Sequence, residues 1–376
     1  MFKKSVIVFA CVIILLISSV QGFAFDIDAS CAALMIADTG ELIYTKNADV
    51  RRPMASTTKI MTALIALESG DLDREITVTD EMINVEGTSM GLLPGDTVSL
   101  EELVYGMLLQ SGNDAANCTA YAVSGGVDEF LALMNCKAEE IGMRNTHFAT
   151  PSGLDADEHY STAYDMALLA SYALANPVFR RICSTYSASL TYGNPPYARR
   201  LTNHNRLLKI YDGAIGVKTG FTKKSGRCLV SAAQRDGLVL VCVTLNDSND
   251  WDNHSKLLDY GFENTNKQFL DFRDNYDIPV VSGNSDRVSV TLTEKPFVYS
   301  VSEKSEIKAD VYLDSFVYAP VQKGDRLGCL RLYGGNGRFI KEIPFIADGV
   351  IDAETESADR NGKSVFDRII KYIKGK

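Results

Sequence analysis

Apolar residues follow two spacings along this chain, and each spacing predicts its own kind of element. Residues 60–67 and 104–109 place apolar side chains at helical spacing, which predicts two buried helices. Residues 33–36, 42–44 and 238–245 are short apolar runs that predict strands before and after the helices. Helices in the middle and strands on either side favour an α/β (α+β) fold, in which the helices pack on an antiparallel sheet.

Two short polar segments predict hairpin turns in that sheet. Asp38-Thr39-Gly40 separates the first two strand-like runs, and Arg235-Asp236-Gly237 separates residues 227–234 from residues 238–245. Residues 216–222 predict a further strand at the edge of the sheet, where a glycine allows another backbone to approach closely.

Beyond this region the pattern changes to short alternating runs separated by Gly, Asn and Asp turns. Residues 288–292 and 307–313 are the clearest of these runs. They predict a small all-β domain. We therefore expect one domain over residues 25–265 and a second over residues 266–351, followed by a polar linker over residues 352–363.

The first 24 residues have the pattern of a secretory signal peptide. Met1-Phe2-Lys3-Lys4 carries positive charge, residues 5–20 form the apolar segment, and cleavage is expected near Ala24. An uncleaved membrane anchor is the alternative, although the run is short for a membrane span. The signal predicts a mature protein outside the cytoplasmic membrane.

The last segment, residues 364–376, predicts an amphipathic helix. One face carries apolar residues and the rest is basic; the apolar residues are Val365, Phe366, Ile369, Ile370 and Ile373. The segment is too short to span a bilayer, and a basic amphipathic helix suits the surface of an anionic membrane. The alternative is a helix packed on the β-domain. The first interpretation predicts peripheral attachment to the outer face of the cytoplasmic membrane.

Charge and cysteine usage narrow the possible partners. The chain has 48 acidic and 38 basic residues, a net charge of −10, which argues against nucleic acid as a partner. Cys118, Cys228 and Cys242 lie in apolar contexts typical of small buried hydrophobic residues. No cysteine pair has C-x-x-C spacing and the four histidines form no metal-ligand motif, so we expect no metal and no cofactor.

Three short motifs follow one another along the chain: Ser56-Thr57-Thr58-Lys59, Ser111-Gly112-Asn113 and Lys218-Thr219-Gly220. Each alone is common, since the first is typical of a helix N-terminus, the second of a turn between helices and the third of a strand end. All three in this order indicate acyl transfer by a serine nucleophile.

Each motif would supply a different chemical role. A spacing of three on a helix puts Ser56 and Lys59 on one face, so a neutral Lys59 amine can take the proton of the Ser56 hydroxyl. Lys218 is the candidate second cation that would lower the pKa of Lys59, and its charge can hold an anionic substrate. The Ser111 hydroxyl is expected to relay protons, and the Asn113 amide to orient Lys59 and the substrate.

The third motif also predicts how a substrate would lie. An acyl substrate can pair with the edge strand as an added strand. The backbone N–H of Phe221, together with that of Ser56, would then form the oxyanion hole. The predicted substrate-binding residues are Lys218, Thr219, Gly220 and Phe221.

With these motifs the chain closely resembles the low-molecular-mass penicillin-binding proteins, the serine-type D-alanyl-D-alanine carboxypeptidases of peptidase family S11. Further strings extend the resemblance over most of the chain: Thr150-Pro151-Ser152-Gly153-Leu154-Asp155, His159 with Ser161-Thr162-Ala163-Tyr164-Asp165, and Leu257-Leu258-Asp259-Tyr260-Gly261-Phe262. The resemblance implies a β-lactamase/transpeptidase-like catalytic domain, Ser56 as the acylated nucleophile and Lys59 as its base. It also implies that the β-domain is a spacer that lifts the active site from the membrane.

The same resemblance implies the substrates. Members of the family remove the terminal D-alanine from peptidoglycan stem pentapeptides and are acylated by penicillins, so stem peptides and β-lactam antibiotics are the expected partners. One alternative is a serine β-lactamase, but no Glu-x-x-x-Asn string lies between Ser111 and Lys218. The other is a catalytically inactive scaffold that binds the cell wall.

Two positions differ from some family members. Phe221 stands where some members have a histidine after the third motif, so a deacylation role of that histidine does not carry over. Some members also bind the substrate carboxylate with arginines that precede this motif. Here the segment is Asn203-His204-Asn205-Arg206, which leaves both His204 and Arg206 as candidates.

Overall fold

The structure is a computed structural model that describes residues 27–270, 273–294, 297–302, 305–335 and 337–354. The predicted signal peptide and the predicted C-terminal helix lie outside these residues, as does most of the linker. The described residues form two compact units. The first comprises residues 27–34, 44–233 and 241–259, and the second comprises residues 35–43, 234–240 and 260–354. The predicted boundary between residues 265 and 266 stays a prediction.

The first unit contains the helices. In the described part of the chain they are α1 (Lys59–Glu68), α2 (Asp80–Ile83), α3 (Leu100–Leu109), α4 (Asn113–Ser124), α5 (Val127–Ile141), α6 (Ala163–Leu174), α7 (Pro177–Cys183), α8 (Leu207–Ile210) and α9 (Asp250–Glu263), the last of which continues into the second unit. A 3-10 turn, Ala55–Thr58, directly precedes α1.

The strands come before, between and after the helices. They are β1 (Cys31–Ile36), β2 (Leu42–Lys46), β3 (Glu75–Thr77), β4 (Thr97–Ser99), β5 (Ser187–Gly193), β6 (Pro196–Thr202), β7 (Ala214–Thr222), β8 (Gly226–Arg235), β9 (Leu238–Leu245), β10 (Thr265–Leu270), β11 (Asn275–Val281), β12 (Arg287–Leu292), β13 (Phe297–Ser302), β14 (Lys308–Leu313), β15 (Val317–Tyr318), β16 (Arg326–Tyr333) and β17 (Phe339–Ala347).

A five-stranded sheet has the order β2-β1-β9-β8-β7. Strand β9 is apolar apart from Thr244, and each of its residues is buried, as expected for a strand covered on both faces. Asp236 and Gly237, both at positive φ, make the two-residue turn between β8 and β9. Both predicted hairpins are confirmed, and β7, which carries Lys218, forms the edge of the sheet.

Helix α1 is the buried helix that its apolar spacing predicts. All residues from Lys59 to Leu67 are buried, so the side-chain amine of Lys59 lies in the protein interior. A capping box between Ser99 and Glu102 starts α3, which ends at Leu109, and α4 begins at Asn113. The short connection between α3 and α4 therefore presents Ser111 next to the first residue of α4.

The described residues from 265 onward contain strands and no helix. Six of these strands form a sheet in the order β14-β16-β17-β12-β11-β15, and β10 pairs with β13. Val290, Leu330 and Phe345 are fully buried in its core. The predicted strands at residues 288–292 and 307–313 are confirmed by β12 and β14. Among all described residues, no helix has the length and apolar character needed to cross a membrane.

Candidate active site

Ser56 lies on the 3-10 turn rather than on the helix itself. Lys59 is the first residue of α1, yet the spacing of three still brings the two side chains together. Ser56 Oγ lies 2.9 Å from Lys59 Nζ. The preceding residue, Ala55, has a φ of +48°, in the left-handed region that costs a residue with a side chain about 1 kcal/mol. The turn that presents Ser56 is therefore strained and must be held by its surroundings.

Lys59 is completely buried and has three polar neighbours. Besides Ser56 Oγ, its Nζ lies 2.7 Å from Asn113 Oδ1 and 2.6 Å from the Ser152 carbonyl oxygen. The pKa of Lys59 is well below its ordinary value, first because burial disfavours the charged amine and second because Lys218 is positive. Asp114 opposes the shift with its negative charge. These surroundings favour the neutral amine, which is the form that can accept a proton.

Asn113 is held in one orientation by a second contact. Its Nδ2 donates to the carbonyl oxygen of Glu86 at 2.7 Å, so its Oδ1 must face Lys59. Ser111 is buried beside it and has a φ of +62°. Among the described residues, Lys59 Nζ has three hydrogen-bond partners, and Ser111 is not one of them. The predicted proton relay through Ser111 therefore stays a prediction.

Lys218 is also buried, at 1% exposure, in the edge strand β7. Its Nζ donates to the carbonyl oxygen of Thr219 at 2.9 Å. Burial lowers the pKa of Lys218 to about 7. Lys218 therefore titrates near neutral pH, and its charge contributes to the low pKa of Lys59.

Gly220 brings strand β7 against the turn of Ser56. A Cβ atom at Gly220 would lie 3.0 Å from the Met54 carbonyl oxygen and 3.1 Å from the Ser56 backbone nitrogen. Both distances are shorter than ordinary van der Waals contacts, so a side chain at this position would push the strand and the turn apart by a few tenths of an ångström. The next residue, Phe221, is 66% exposed. The structure thus brings the predicted substrate-binding strand next to the predicted nucleophile.

Hydrogen bonds of Asn203 and Asn205 fix the segment that contains His204 and Arg206. Asn203 Nδ2 donates to the carbonyl oxygens of Cys183 and Thr185 at 3.1 and 3.2 Å, and Asn203 Oδ1 accepts from Asn205 N at 2.9 Å. His204 and Arg206, between and after them, are exposed. The Arg206 guanidinium lies 6.0 Å from the centroid of the Trp251 ring.

His204 and Arg206, the two candidates for binding the substrate carboxylate, have different electrostatic surroundings. Partial desolvation lowers the pKa of His204, and the charge of Lys218 lowers it further. His204 is therefore coupled to the lysine of the third motif, whereas Arg206 contacts an aromatic ring. Both residues stay candidates for binding the substrate carboxylate.

Several residues of the site were not among the predicted ones. Ser152 contributes a backbone carbonyl, which leaves no side-chain signature in a sequence. Asp114 is buried and accepts from Ser89 Oγ at 2.6 Å and from Met90 N at 2.9 Å. It therefore holds the segment containing these two residues beside α4. His159 contacts Thr58 on the turn of Ser56. The resemblance strings containing Ser152 and His159 were the available signal, but they did not indicate these contacts.

The site is built without a metal cluster in the described part of the chain, where no group of three or more His, Cys, Asp or Glu residues is arranged to hold an ion. Cys118, Cys228 and Cys242 are buried, as predicted, and carry free thiols. Burial raises the pKa of Cys228 to about 11 and that of Cys118 to about 12, so these thiols stay protonated and inert.

Known proteins are similar to this chain in both sequence and fold. The family described as D-alanyl-D-alanine carboxypeptidase matches residues 18–249. The D-alanyl-D-alanine carboxypeptidase DacF of Bacillus subtilis is 32% identical over 332 residues, which cover 85% of this chain and 85% of that protein. The D-alanyl-D-alanine carboxypeptidase DacA of Escherichia coli is 31% identical over 373 residues, covering 93% of this chain and 88% of that protein.

A solved structure agrees with this relationship. The crystal structure of the D-alanyl-D-alanine carboxypeptidase DacD from Francisella tularensis matches with a TM-score of 0.63 and 28% identity, over 89% of this chain and 96% of that one. Its coverage includes both the α+β part and strands of the second unit. The chain therefore belongs to the D-alanyl-D-alanine carboxypeptidase family, peptidase family S11.

Proposed function

We propose that this chain removes the terminal D-alanine from peptidoglycan stem pentapeptides through an acyl-enzyme on Ser56. As a member of its family the chain is a serine-type D-alanyl-D-alanine carboxypeptidase. The observation that carries the assignment of the nucleophile is the 2.9 Å contact between Ser56 Oγ and the buried Lys59 Nζ.

The contacts of Lys59 determine how its neutral amine is oriented. A neutral amine has two protons and one lone pair. Asn113 Oδ1 and the Ser152 carbonyl oxygen can each accept one proton, since neither atom can donate. The lone pair then faces Ser56 Oγ, whose hydroxyl donates to it. This arrangement supports Lys59 as the base that activates Ser56.

Acylation then proceeds by conventional steps of acyl transfer. Ser56 Oγ attacks the carbonyl carbon of the penultimate D-alanine while Lys59 takes the hydroxyl proton. The backbone N–H groups of Ser56 and Phe221 stabilise the oxyanion, and the close approach of Gly220 to Ser56 N supports this pairing. The C–N bond breaks, the departing D-alanine amine takes the proton, and water later hydrolyses the ester.

The direct test is a paired assay on the purified protein. We expect D-alanine release from a synthetic stem pentapeptide, a single covalent adduct with penicillin by intact-mass analysis, and slow turnover of a chromogenic β-lactam. Fast β-lactam turnover without D-alanine release would favour a β-lactamase. A folded protein that gives neither adduct nor release would favour an inactive wall-binding scaffold.

Substrate capture should depend on pH through Lys218. A protonated Lys218 can hold the terminal carboxylate, and its pKa is about 7, so kcat/KM should fall as the pH rises above about 7. On the acid side, kcat/KM should fall as Lys59 becomes protonated. The measurement is a pH profile of kcat/KM for D-alanine release.

A substrate without the carboxylate provides the control for this pH prediction. A stem peptide whose terminal carboxyl is converted to an amide cannot pair with Lys218, so its kcat/KM should lack the loss above neutral pH. An identical alkaline loss with the amide substrate would show that the loss does not come from Lys218 and the carboxylate.

The two ends of the chain support a location for this activity. We propose that residues 1–24 direct secretion and that residues 364–376 form an amphipathic helix, which attaches the enzyme peripherally to the outer face of the cytoplasmic membrane. The apolar residues of that segment, next to basic ones, support binding to an anionic lipid surface.

Vesicle binding tests the membrane attachment. The chain from residue 25 onward should sediment with vesicles containing phosphatidylglycerol, and the variant I369D/I373D should lose at least about 10-fold in affinity because two apolar side chains of the proposed lipid-binding face become charged. D-alanine release from a soluble peptide should be unchanged in this variant. Equal sedimentation of both proteins would contradict the proposal.

A further inference from the structure

His159 is a buried titratable group with no role in the steps above. His159 is 5% exposed and contacts Thr58 on the turn of Ser56. His159 Nε2 lies 2.9 Å from Thr58 Oγ1, and the backbone N–H of Ala149 donates to His159 Nδ1 at 3.0 Å. Both ring nitrogens are therefore engaged.

These contacts determine which nitrogen carries the proton. Because Ala149 N–H donates to Nδ1, that nitrogen must present its lone pair, and the proton of a neutral ring lies on Nε2. Nε2–H then donates to Thr58 Oγ1. Burial lowers the pKa of His159 to about 4, and electrostatic interactions with His147, Lys224 and Lys59 act in the same direction. The ring is thus neutral at neutral pH.

Thr58 also contacts Ala55, the strained residue that precedes Ser56. Its hydroxyl donates to the Ala55 carbonyl oxygen at 2.8 Å, and Thr58 is completely buried. On the same side, Gly153 approaches so closely that a Cβ atom there would lie 2.0 Å from Ala55 O. The Ala55 carbonyl is therefore held by a hydrogen bond and by a packed backbone.

The Ala55 carbonyl and the Ser56 N–H belong to one planar peptide unit. In a trans peptide the two groups point in opposite directions, so fixing one fixes the other. Ala55 O faces Thr58 and Gly153, whereas Ser56 N faces Gly220 on strand β7. The same peptide unit thus links the buried histidine to the side of the turn where the oxyanion is expected.

We infer that His159 is a positioning residue, which acts through Thr58 and the Ala55 carbonyl to aim and polarise the Ser56 N–H of the oxyanion hole. The hydrogen bonds run in one direction, from His159 Nε2–H to the Thr58 hydroxyl, from there to Ala55 O, and through the peptide to Ser56 N–H. Each bond in such a chain strengthens the next donor. The inference rests on the proposed role of Ser56.

The test compares Thr58→Val with Thr58→Ser. Valine has the shape of threonine but lacks the hydroxyl, so T58V should acylate with penicillin about 10- to 100-fold more slowly, as expected when one oxyanion donor is misdirected. T58S retains the hydroxyl and should stay within about 3-fold of the wild type. With the peptide substrate, T58V should lower kcat and leave KM nearly unchanged, because the contacts with strand β7 remain.

Thr119→Val is the matched control. The Thr119 hydroxyl is equally buried and donates to the Ala115 carbonyl at the same 2.8 Å, but this hydrogen bond lies within α4 and not on the turn of Ser56. T119V removes a comparable hydrogen bond, so it should cost comparable thermal stability while leaving acylation close to that of the wild type. Equal acylation by T58V and T119V, in proteins with similar Tm, would overturn the inference.

His159 variants test the same path independently of Thr58. His159→Gln keeps an N–H donor for Thr58 and should retain more activity than His159→Leu. If both residues act through one chain, the double variant T58V/H159L should acylate no more slowly than the slower single variant. Fully additive losses would contradict a shared path. Absence of acylation in the wild type itself would instead overturn the proposed function.

Discussion

Replacement of Ser56 by alanine should eliminate both the penicillin adduct and D-alanine release. Ser56 Oγ is the hydroxyl that lies 2.9 Å from the buried Lys59 amine, and no base can make a methyl group nucleophilic. We expect the rate of D-alanine release to fall by about 10⁴-fold or more, as in serine hydrolases that lose their nucleophile. Intact-mass analysis after exposure to penicillin and a D-alanine assay measure the two effects.

Ser69→Ala is the control for this substitution. Ser69 follows the last residue of α1, and its hydroxyl donates to the Ala66 carbonyl, so S69A changes a serine next to the same helix without reaching the cleft. S69A should form the adduct at the wild-type rate. An adduct of unchanged yield in S56A would show that another residue is acylated and would remove Ser56 from the mechanism.

Replacement of Lys59 by arginine should be nearly as damaging, although the positive charge is retained. An arginine side chain stays protonated in proteins and cannot act as a base, whereas burial and Lys218 bring the pKa of Lys59 well below its ordinary value. Loss of a general base typically costs about 10²- to 10⁴-fold, and the larger guanidinium must also enter a buried site. We expect the penicillin acylation rate of K59R to fall by about 10³-fold or more.

Replacement of the second buried lysine, Lys218, by arginine distinguishes the role of a base from that of an anion-binding cation. Lys218 is proposed to act through its charge, which arginine preserves, so K218R should lose less acylation rate than K59R. K218R should also retain more kcat/KM above pH 7 than the wild type, relative to its own maximum, because arginine does not titrate there. Equal losses in K59R and K218R, both folded by Tm, would contradict the separate roles of base and anion-binding cation.

Much of the fold could be predicted because it depends on local patterns. The buried helix α1, the hairpin turn at Asp236-Gly237 and the alternating strands β12 and β14 all follow from the spacing of apolar residues and from turn chemistry. The family strings reinforced these predictions. The signal peptide and the C-terminal helix rest on the same kind of pattern, but they lie outside the described residues and stay predictions.

Other features could not be predicted because they depend on contacts between distant segments. The 3-10 turn under Ser56 is held by Gly153 and Thr58, and the sequence pattern indicated a helix there. The acceptor role of Ser152 belongs to its backbone, which every residue has. The unequal surroundings of His204 and Arg206 depend on where strand β7 and Trp251 lie.

The chemical groups available to this protein could be read from the chain: two serines, two lysines and an asparagine in three ordered motifs, on elements whose type follows from local spacing. Their protonation and orientation depend on the packing of distant segments around them. Burial of Lys59 and Lys218 lowers both pKa values, because a charged amine loses its hydration there. Contacts with Asn113 and Ser152 orient the Lys59 amine, and the hydrogen bond from Thr58 orients the Ala55 carbonyl. Hydrogen bonds act only over short distances, and folding brings these groups within that distance.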